Sequence, residues 1–411
     1  MYGYPTGADA NGLPMPYWEI LGHDHVVNIF CQIEDAQGSV LSWQFGVEGG
    51  DVTIDRTAQF RRSCKIEVTP YGAAGVIKDT TVLEQLTASL IPKDGKDAFA
   101  PYGNQVRLWY GIEIPGYTNT ALNSNFYTWQ LGVFRLSDAD VTDDGTPRLT
   151  IQGYDHSRTI SRRKNTIPWI VGAGTNYGDA IFAFCLDRLP TLTTKPHTVT
   201  AVTPQIIVDA ESDPWKTVTE WAAAIGSEAY FDRDGDLVIA EEPDPATDPV
   251  TWTYDDGETN PNAVLLSTSR SMSDDPGYNG IVLTSESNTL LAPVRVELWD
   301  DDPDSPTFAL GDYGKIPYFE SNPLVIDAAQ GLLAANAKLL QILGGTETLN
   351  FAAIPNPAHE AGDLVRVIRP LSRTDTTSIL DSFTIPLSVA DTMTVRCRER
   401  RSSEQVSGGL V

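Results

Sequence analysis

Between Glu347 and Arg400, apolar residues recur at every second position through four successive segments, TLNFAAIP, DLVRVIRP, ILDSFTIP and DTMTVRCRER. A period of two is the spacing at which neighbouring side chains leave a β-strand on opposite faces, and no helix reproduces it. Leu349, Phe351 and Ala353 share a face. Ile379 lies opposite Leu380, Phe383 and Ile385 follow along one side, and Met393, Val395 and Cys397 line one side of the last strand. The other side of that strand carries Thr394, Arg396, Arg398 and Arg400. Pro355-Asn356-Pro357 and Gly362-Asp363 bracket the first turn, because proline fixes φ and glycine tolerates conformations other residues avoid. The pattern predicts an antiparallel sheet or barrel with a basic stripe. In a chain of net charge -26, that stripe is expected to meet something acidic.

A chain of 411 residues is too long for one ordinary core, so two or three domains are expected. The 55 Asp and Glu against 29 Lys and Arg argue against a nucleic-acid-gripping surface, which needs clustered cations. No run of about 18 or more apolar residues is present, so no membrane-spanning helix is expected. Cys31, Cys64, Cys185 and Cys397 sit in apolar patterns with no CxxC pair and read as reduced core thiols.

Residues 1–24 read as an extended arm and 25–163 as a first all-β domain, with alternation through Val27–Ile33, Cys64–Val68 and Val106–Ile114. His23-Asp24-His25 lacks a third ligand and reads as a polar strand entry. Asp155-His156-Ser157, placed on a strand, is not expected to act as a catalytic triad, because adjacent strand residues point opposite ways. Residues 164–245 change character. Asp179 to Leu189 has helical spacing, and Asp213-Pro214 opens a second helix with an apolar face of Trp215, Val218, Trp221, Ala222 and Ile225. Asp234-Gly235 then predicts a hairpin turn. Asp232, Asp234 and Asp236 lack the rest of a calcium loop and read as part of that turn. Asp244 to Asn262 reads as a linker and Asp300–Asp304 as a solvated acidic tip. Residues 246–400 form a second β-domain, and 401–411 a tail. A helix over 327–343 interrupts that second domain, with Leu332, Leu333, Ala335, Asn336, Leu339, Leu340 and Leu343 on its buried side.

Three stretches carry a family resemblance: PNPAHEAGDLVRV with its following strands, VEGGDVTIDRTAQFRRSCKIEV, and the strand pair ending at Gly153-Tyr154-Asp155. Together with the helix and hairpin of 213–242, this order is similar to that of tail (baseplate) hub proteins, or minor tail proteins, of long-tailed actinobacterial phages. The resemblance covers roughly residues 25 to 400. It implies a mainly β fold in which two tail-tube-like β-barrel domains flank a small α+β insert. It also implies a homotrimeric virion protein at the tail tip, assembled in the host cytoplasm. That ring would surround the DNA exit channel and join a sixfold tube to a threefold tip. The implied partners are the tail tube or distal tail protein, the tape measure protein and other tail-tip or fibre proteins, with phage DNA only in transit.

On this reading the chain is not an enzyme and has no catalytic, cofactor-binding or metal site. Its working residues are the interface arginines Arg56, Arg61, Arg62, Arg396, Arg398 and Arg400, each pairing with acidic groups of a neighbouring subunit; the other reading of Arg56, Arg61 and Arg62, and the commoner case for such residues, is a solvated strand edge. Two other classes remain. A receptor- or carbohydrate-binding module would use Trp109, Trp129 and Trp252 as stacking platforms, although aromatics at strand spacing are more often core. A cell-wall hydrolase would need an acid pair or a His-based metal site, which five scattered histidines do not offer.

Overall fold

A computed structural model describes residues 6–8, 14–22, 24–68, 91–117, 125–144, 148–244, 248–256, 264–275, 277–285, 293–343, 347–398 and 406–410. Thirteen strands, the first in the chain at Val27–Glu34 and the last at Met393–Arg398, form one sheet. From one edge the order is Leu265–Met272, Glu347–Ala353, Met393–Arg398 and Thr374–Pro386. There it passes to Gly49–Asp55, Arg62–Val68, Arg148–Tyr154, Phe126–Thr142, Gln105–Glu113, Val27–Glu34 and Val40–Gly46. Leu364–Arg369 branches from Thr374–Pro386 and carries Val250–Asp255 beside it in parallel, while the other pairs are antiparallel. Part of the expected linker is therefore a strand.

The two halves of the sheet repeat one arrangement. Phe126–Thr142 pairs with Gln105–Glu113 up to Arg135 on one side and with Arg148–Tyr154 from Arg135 onward on the other, with a bulge between Leu136 and Asp138. Thr374–Pro386 pairs with Leu364–Arg369 up to Ile379 and with Met393–Arg398 from Ile379 onward, with a bulge between Leu380 and Ser382. Beyond these lie Arg62–Val68 then Gly49–Asp55 in one half, and Glu347–Ala353 then Leu265–Met272 in the other. Even the bond at the bulge recurs: Leu136 N–H donates to the Asn104 carbonyl, and Leu380 N–H to that of Asp363, at 3.0 and 2.9 Å.

The halves join where Asp51–Asp55 pairs with Ser382–Pro386. This junction corrects the expectation of two separate closed barrels. Alternation specifies strands and their faces but not whether a sheet closes on itself. Here Gly49–Asp55, the end strand of the first half, pairs with Thr374–Pro386 of the second. The sheet stays open, with Leu265–Met272 and Val40–Gly46 paired on one side only among the described residues. One core runs across the junction, containing Val52, Ile54, Ile66 and Leu108 of the first half with Phe351, Phe383, Ile385 and Val395 of the second. Tyr17, on the short helix Tyr17–Gly22, enters that core against Trp129 and Trp252.

A second core holds residues from Ile160 to Ile239, built on the helices Tyr177–Arg188 and Pro214–Ala223 and the hairpin Ser227–Phe231 with Leu237–Glu241. Asp213 caps its helix as anticipated, accepting from the N–H groups of Trp215 and Lys216 at 2.9 and 3.4 Å.

The third core packs Ala328–Leu343 on a four-stranded sheet of Gly280–Ser285, Val294–Asp300, Pro317–Ser321 and Val406–Leu410, so part of the expected tail is a strand. The buried stripe of this helix is narrower than its leucines suggest: Gly331, Ala334, Ala335 and Leu339 face the sheet, while Leu332 and Leu333 are exposed. A Cβ at Gly331 would lie 3.1 Å from Val294 and 3.2 Å from Val296, so small residues set the contact and turn the bulky pair outward. The acidic tip is also corrected at its first residue, because Asp300 is buried and accepts from the Ser305 and Thr307 hydroxyls. No helix among the described residues is long and apolar enough to cross a membrane.

Candidate functional site

Arg56, Arg61 and Arg62 leave the turn between Gly49–Asp55 and Arg62–Val68, and all three side chains point into the protein. In this structure each of them pairs with acidic groups of its own chain. A sequence pattern gives the face of a strand, but Arg56 and Arg61 lie in the turn and Arg62 opens the next strand, where the insert and the 355–363 loop close over them.

Arg62 donates its backbone N–H to Asp155, Nη1 to the Leu131 carbonyl at 2.9 Å, Nε to the Phe231 carbonyl at 3.3 Å and Nη2 to Glu360. Arg61 reaches the Ala361 carbonyl and Glu228, its guanidinium 3.8 Å above the Tyr230 ring. Arg56 bridges Glu228 and Glu242, each at 3.0 Å. From the insert hairpin, Arg233 grips the carbonyls of Pro357, Ala358 and His359 at 3.1, 3.0 and 2.6 Å and lies 3.5 Å from Glu360. The sequence pattern did not single out Arg233; the available signal was its place beside a tight Asp-Gly turn.

The loop these cations hold, Pro355 to Asp363, is internally ordered. Asn356 accepts from Tyr17 Oη at 3.2 Å and from Ala358 N–H at 3.1 Å. His359 lies 2.6 Å from Tyr254 Oη, and Asp363 accepts from Glu360 N–H at 2.9 Å. Burial pushes the Glu360 carboxyl upward, but Arg62, Arg233 and Arg61 together outweigh it and hold the group below the usual carboxylate range. The same balance, with Arg61 and Arg56, keeps Glu228 low. Burial pulls the Arg62 guanidinium down, and Arg233 and Arg61 add to that pull. Three parts of the chain, the 49–68 strands, the insert hairpin and the 355–363 loop, thus converge on one buried ionic cluster. Such a cluster fixes relative orientation, because each guanidinium fork accepts only a narrow set of partner positions.

The basic stripe divides. Arg398 pairs with the fully buried Asp381 and donates to the Gln341 carbonyl at 3.0 Å. Arg396 stays 45% exposed, 3.6 Å from Asp55 and 2.9 Å from Thr57 Oγ1. Arg400 and His23 lie outside the described residues.

Other expected features resolve into local structure. Asp155-His156-Ser157 begins the helix His156–Arg162 instead of lying on a strand: Asp155 is its cap, accepting from Ser157 N–H at 3.0 Å. His156 is buried edge-on to Phe231, and burial above all, with Arg135 and Arg107, lowers its pKa to about 3. The oxygens of Asp232, Asp234 and Asp236 lie within 4.8 Å of one another, but the Lys195 ammonium sits against Asp232 and 3.7 Å from Asp234. Asp232 also accepts from the N–H groups of Asp234 and Asp236, as a hairpin turn requires. Trp129 and Trp252 are buried and Trp109 stacks on Phe30, so the three do not form an exposed stacking platform. The four cysteines are buried free thiols.

A cleft of about 600 Å³ lies between the insert, the long helix and the 355–363 loop, with Glu241, Glu242, Asp244 and Asp248 around a floor that includes Leu333 and Leu340.

No protein-family model matches the chain, and no curated protein matches it in sequence. Solved structures do match. A tail protein from Neisseria meningitidis MC58 superimposes with a TM-score of 0.58 at 13% identity, over 90% of this chain and 97% of the other. The 43 kDa tail protein of prophage MuSo2 from Shewanella oneidensis gives 0.58 at 12% identity, over 91% and 98%. The chain has the fold of these phage tail proteins. The tail-protein fold thus extends across both halves of the sheet and the insert between them.

Proposed function

We propose that this protein is the hub at a phage tail tip, a structural component in which three copies encircle the DNA path and join a sixfold tube to a threefold tip. The observation that carries the reading is the duplicated sheet: one chain supplies two like sheet units, already joined edge to edge. Three such chains present six units, which supports a match to six tube subunits. The likeness to tail proteins over nine-tenths of the chain supports the same placement. The partners on this reading are the tail tube or distal tail protein, the tape measure protein and tip or fibre proteins. The net charge of -26 keeps DNA in transit from adhering.

The buried arginine cluster holds the two units and the insert as one body, and among the described residues Arg396 is the basic-stripe residue left to meet an acidic neighbour. The mass of the purified complex tests the reading: three copies are expected, and a monomer that persists at high concentration would overturn it. Arg396→Glu should leave the monomer folded while reducing assembly, read by light scattering.

A further inference from the structure

We infer that copies of this chain join head to tail by pairing the Leu265–Met272 edge of one copy with Asp138–Thr142 of the next, in the register of the junction inside the chain. The inference rests on the self-assembling reading above and adds its contact surface. Inside the chain, Gly49–Asp55 ends one half of the sheet and pairs with the stretch of Thr374–Pro386 that runs past Leu364–Arg369. By the matched ladders, Leu265–Met272 is the counterpart of Gly49–Asp55, and Asp138–Thr142 is the counterpart of Ser382–Pro386.

Both counterparts lack that neighbour. Leu265–Met272 pairs only with Glu347–Ala353, and Asp138–Thr142 only with Arg148–Tyr154, among the described residues. Among the described residues, Ser269–Met272 and Asp138–Thr142 each leave one side of the strand without a ladder partner, while Leu266 further along accepts from Arg369 at 3.3 Å. The chain has therefore formed this junction once and kept both sides of a second one.

Side chains give an independent sign. In the internal junction Phe383 faces Ile54 and Ile385 faces Val52, and all four are buried. Their counterparts are Ala139 facing Met272 and Val141 facing Arg270, and here Met272 is 68% and Val141 42% exposed. Apolar groups thus stand in water at positions whose equivalents are core. On the other face, Thr53 and Thr384 lie 3.0 Å apart at their hydroxyls, and their counterparts Ser271 and Asp140 keep a donor opposite an acceptor. Unlike surfaces meet, so the contact is heterologous and builds a ring when its rotation closes.

Disulfide trapping tests the register, since the native thiols are all buried. Ala139→Cys and Met272→Cys, made in one chain or in two singly substituted chains mixed together, should cross-link under mild oxidation and deplete the monomer band on a non-reducing gel. Ala139→Cys with Ser271→Cys, whose side chains leave opposite faces, should retain it. Met272→Cys linking to itself, or equal trapping by the Ser271 pair, would overturn the inference. A defined oligomer by mass without the cross-link would overturn this register alone and leave the hub reading standing. Neither association nor trapping at high concentration would overturn both.

Discussion

Glu360→Gln is the sharpest perturbation of the cluster that holds the parts of the chain together. The substitution keeps shape and removes one charge. It leaves Arg62, Arg61 and Arg233 buried beside one another with their shared carboxylate neutral. Breaking one partner out of a buried ion pair typically costs 3–5 kcal/mol, because the charge left behind has no compensation. Glu360 is 18% exposed, which admits some water, so about 3 kcal/mol is expected. Urea denaturation reads the loss of stability, and hydrogen exchange in 355–363 reads where it falls. That loop should exchange faster than the distant Gln105–Glu113 strand. Arg62→Met should cost a similar amount, since it also strands the Leu131 and Phe231 carbonyls. The double variant should lose clearly less than the sum, as coupled partners do. A loss under about 1 kcal/mol for Glu360→Gln, or additive single losses, would refute the cluster as the element that sets the arrangement.

Three further outcomes follow from single sites. Gly50 has φ of 111°, and a Cβ there would lie 2.0 Å from the Lys65 carbonyl oxygen, so Gly50→Ala should destabilise by more than about 2 kcal/mol in chemical denaturation. His156 stays neutral in the fold down to about pH 3, while the unfolded chain takes up a proton below about pH 6.5; stability should therefore fall as pH drops through that window. The lowered carboxylates of Glu360 and Glu228 deepen the same acid limb below the ordinary carboxylate range, and His156→Leu should flatten the part above pH 4.5 in urea titrations at stepped pH. Arg398→Met should cost about 3 kcal/mol because Asp381 is fully buried, whereas Arg396→Met should change stability by less than about 1 kcal/mol; equal costs would contradict the division of the stripe.

Much of the fold was legible because it is local. Alternation named the strands and their buried faces: Met393, Val395 and Cys397 are core, as their spacing required. Asp213-Pro214 and Asp234-Gly235 marked a helix start and a hairpin, since caps and turns depend on neighbours a few residues apart. The candidate site was half legible. Arg56, Arg61 and Arg62 were recognisable as special, yet their partners Glu228, Glu242 and Glu360 lie far along the chain, and no spacing rule links them. Leu332 and Leu333 fit an apolar stripe by periodicity, but Gly331, Ala334 and Ala335 let the helix approach on another side.

By itself the sequence determined which residues form strands, which side of each is apolar, and where turns and caps fall, because these follow from backbone geometry over a few residues. Only the tertiary structure decided that the two halves share one sheet, that three arginines are interior, and that one junction is made while, among the described residues, its counterparts stay open. Those are matters of which distant edges meet, and pairing between distant segments leaves no period in the chain to read.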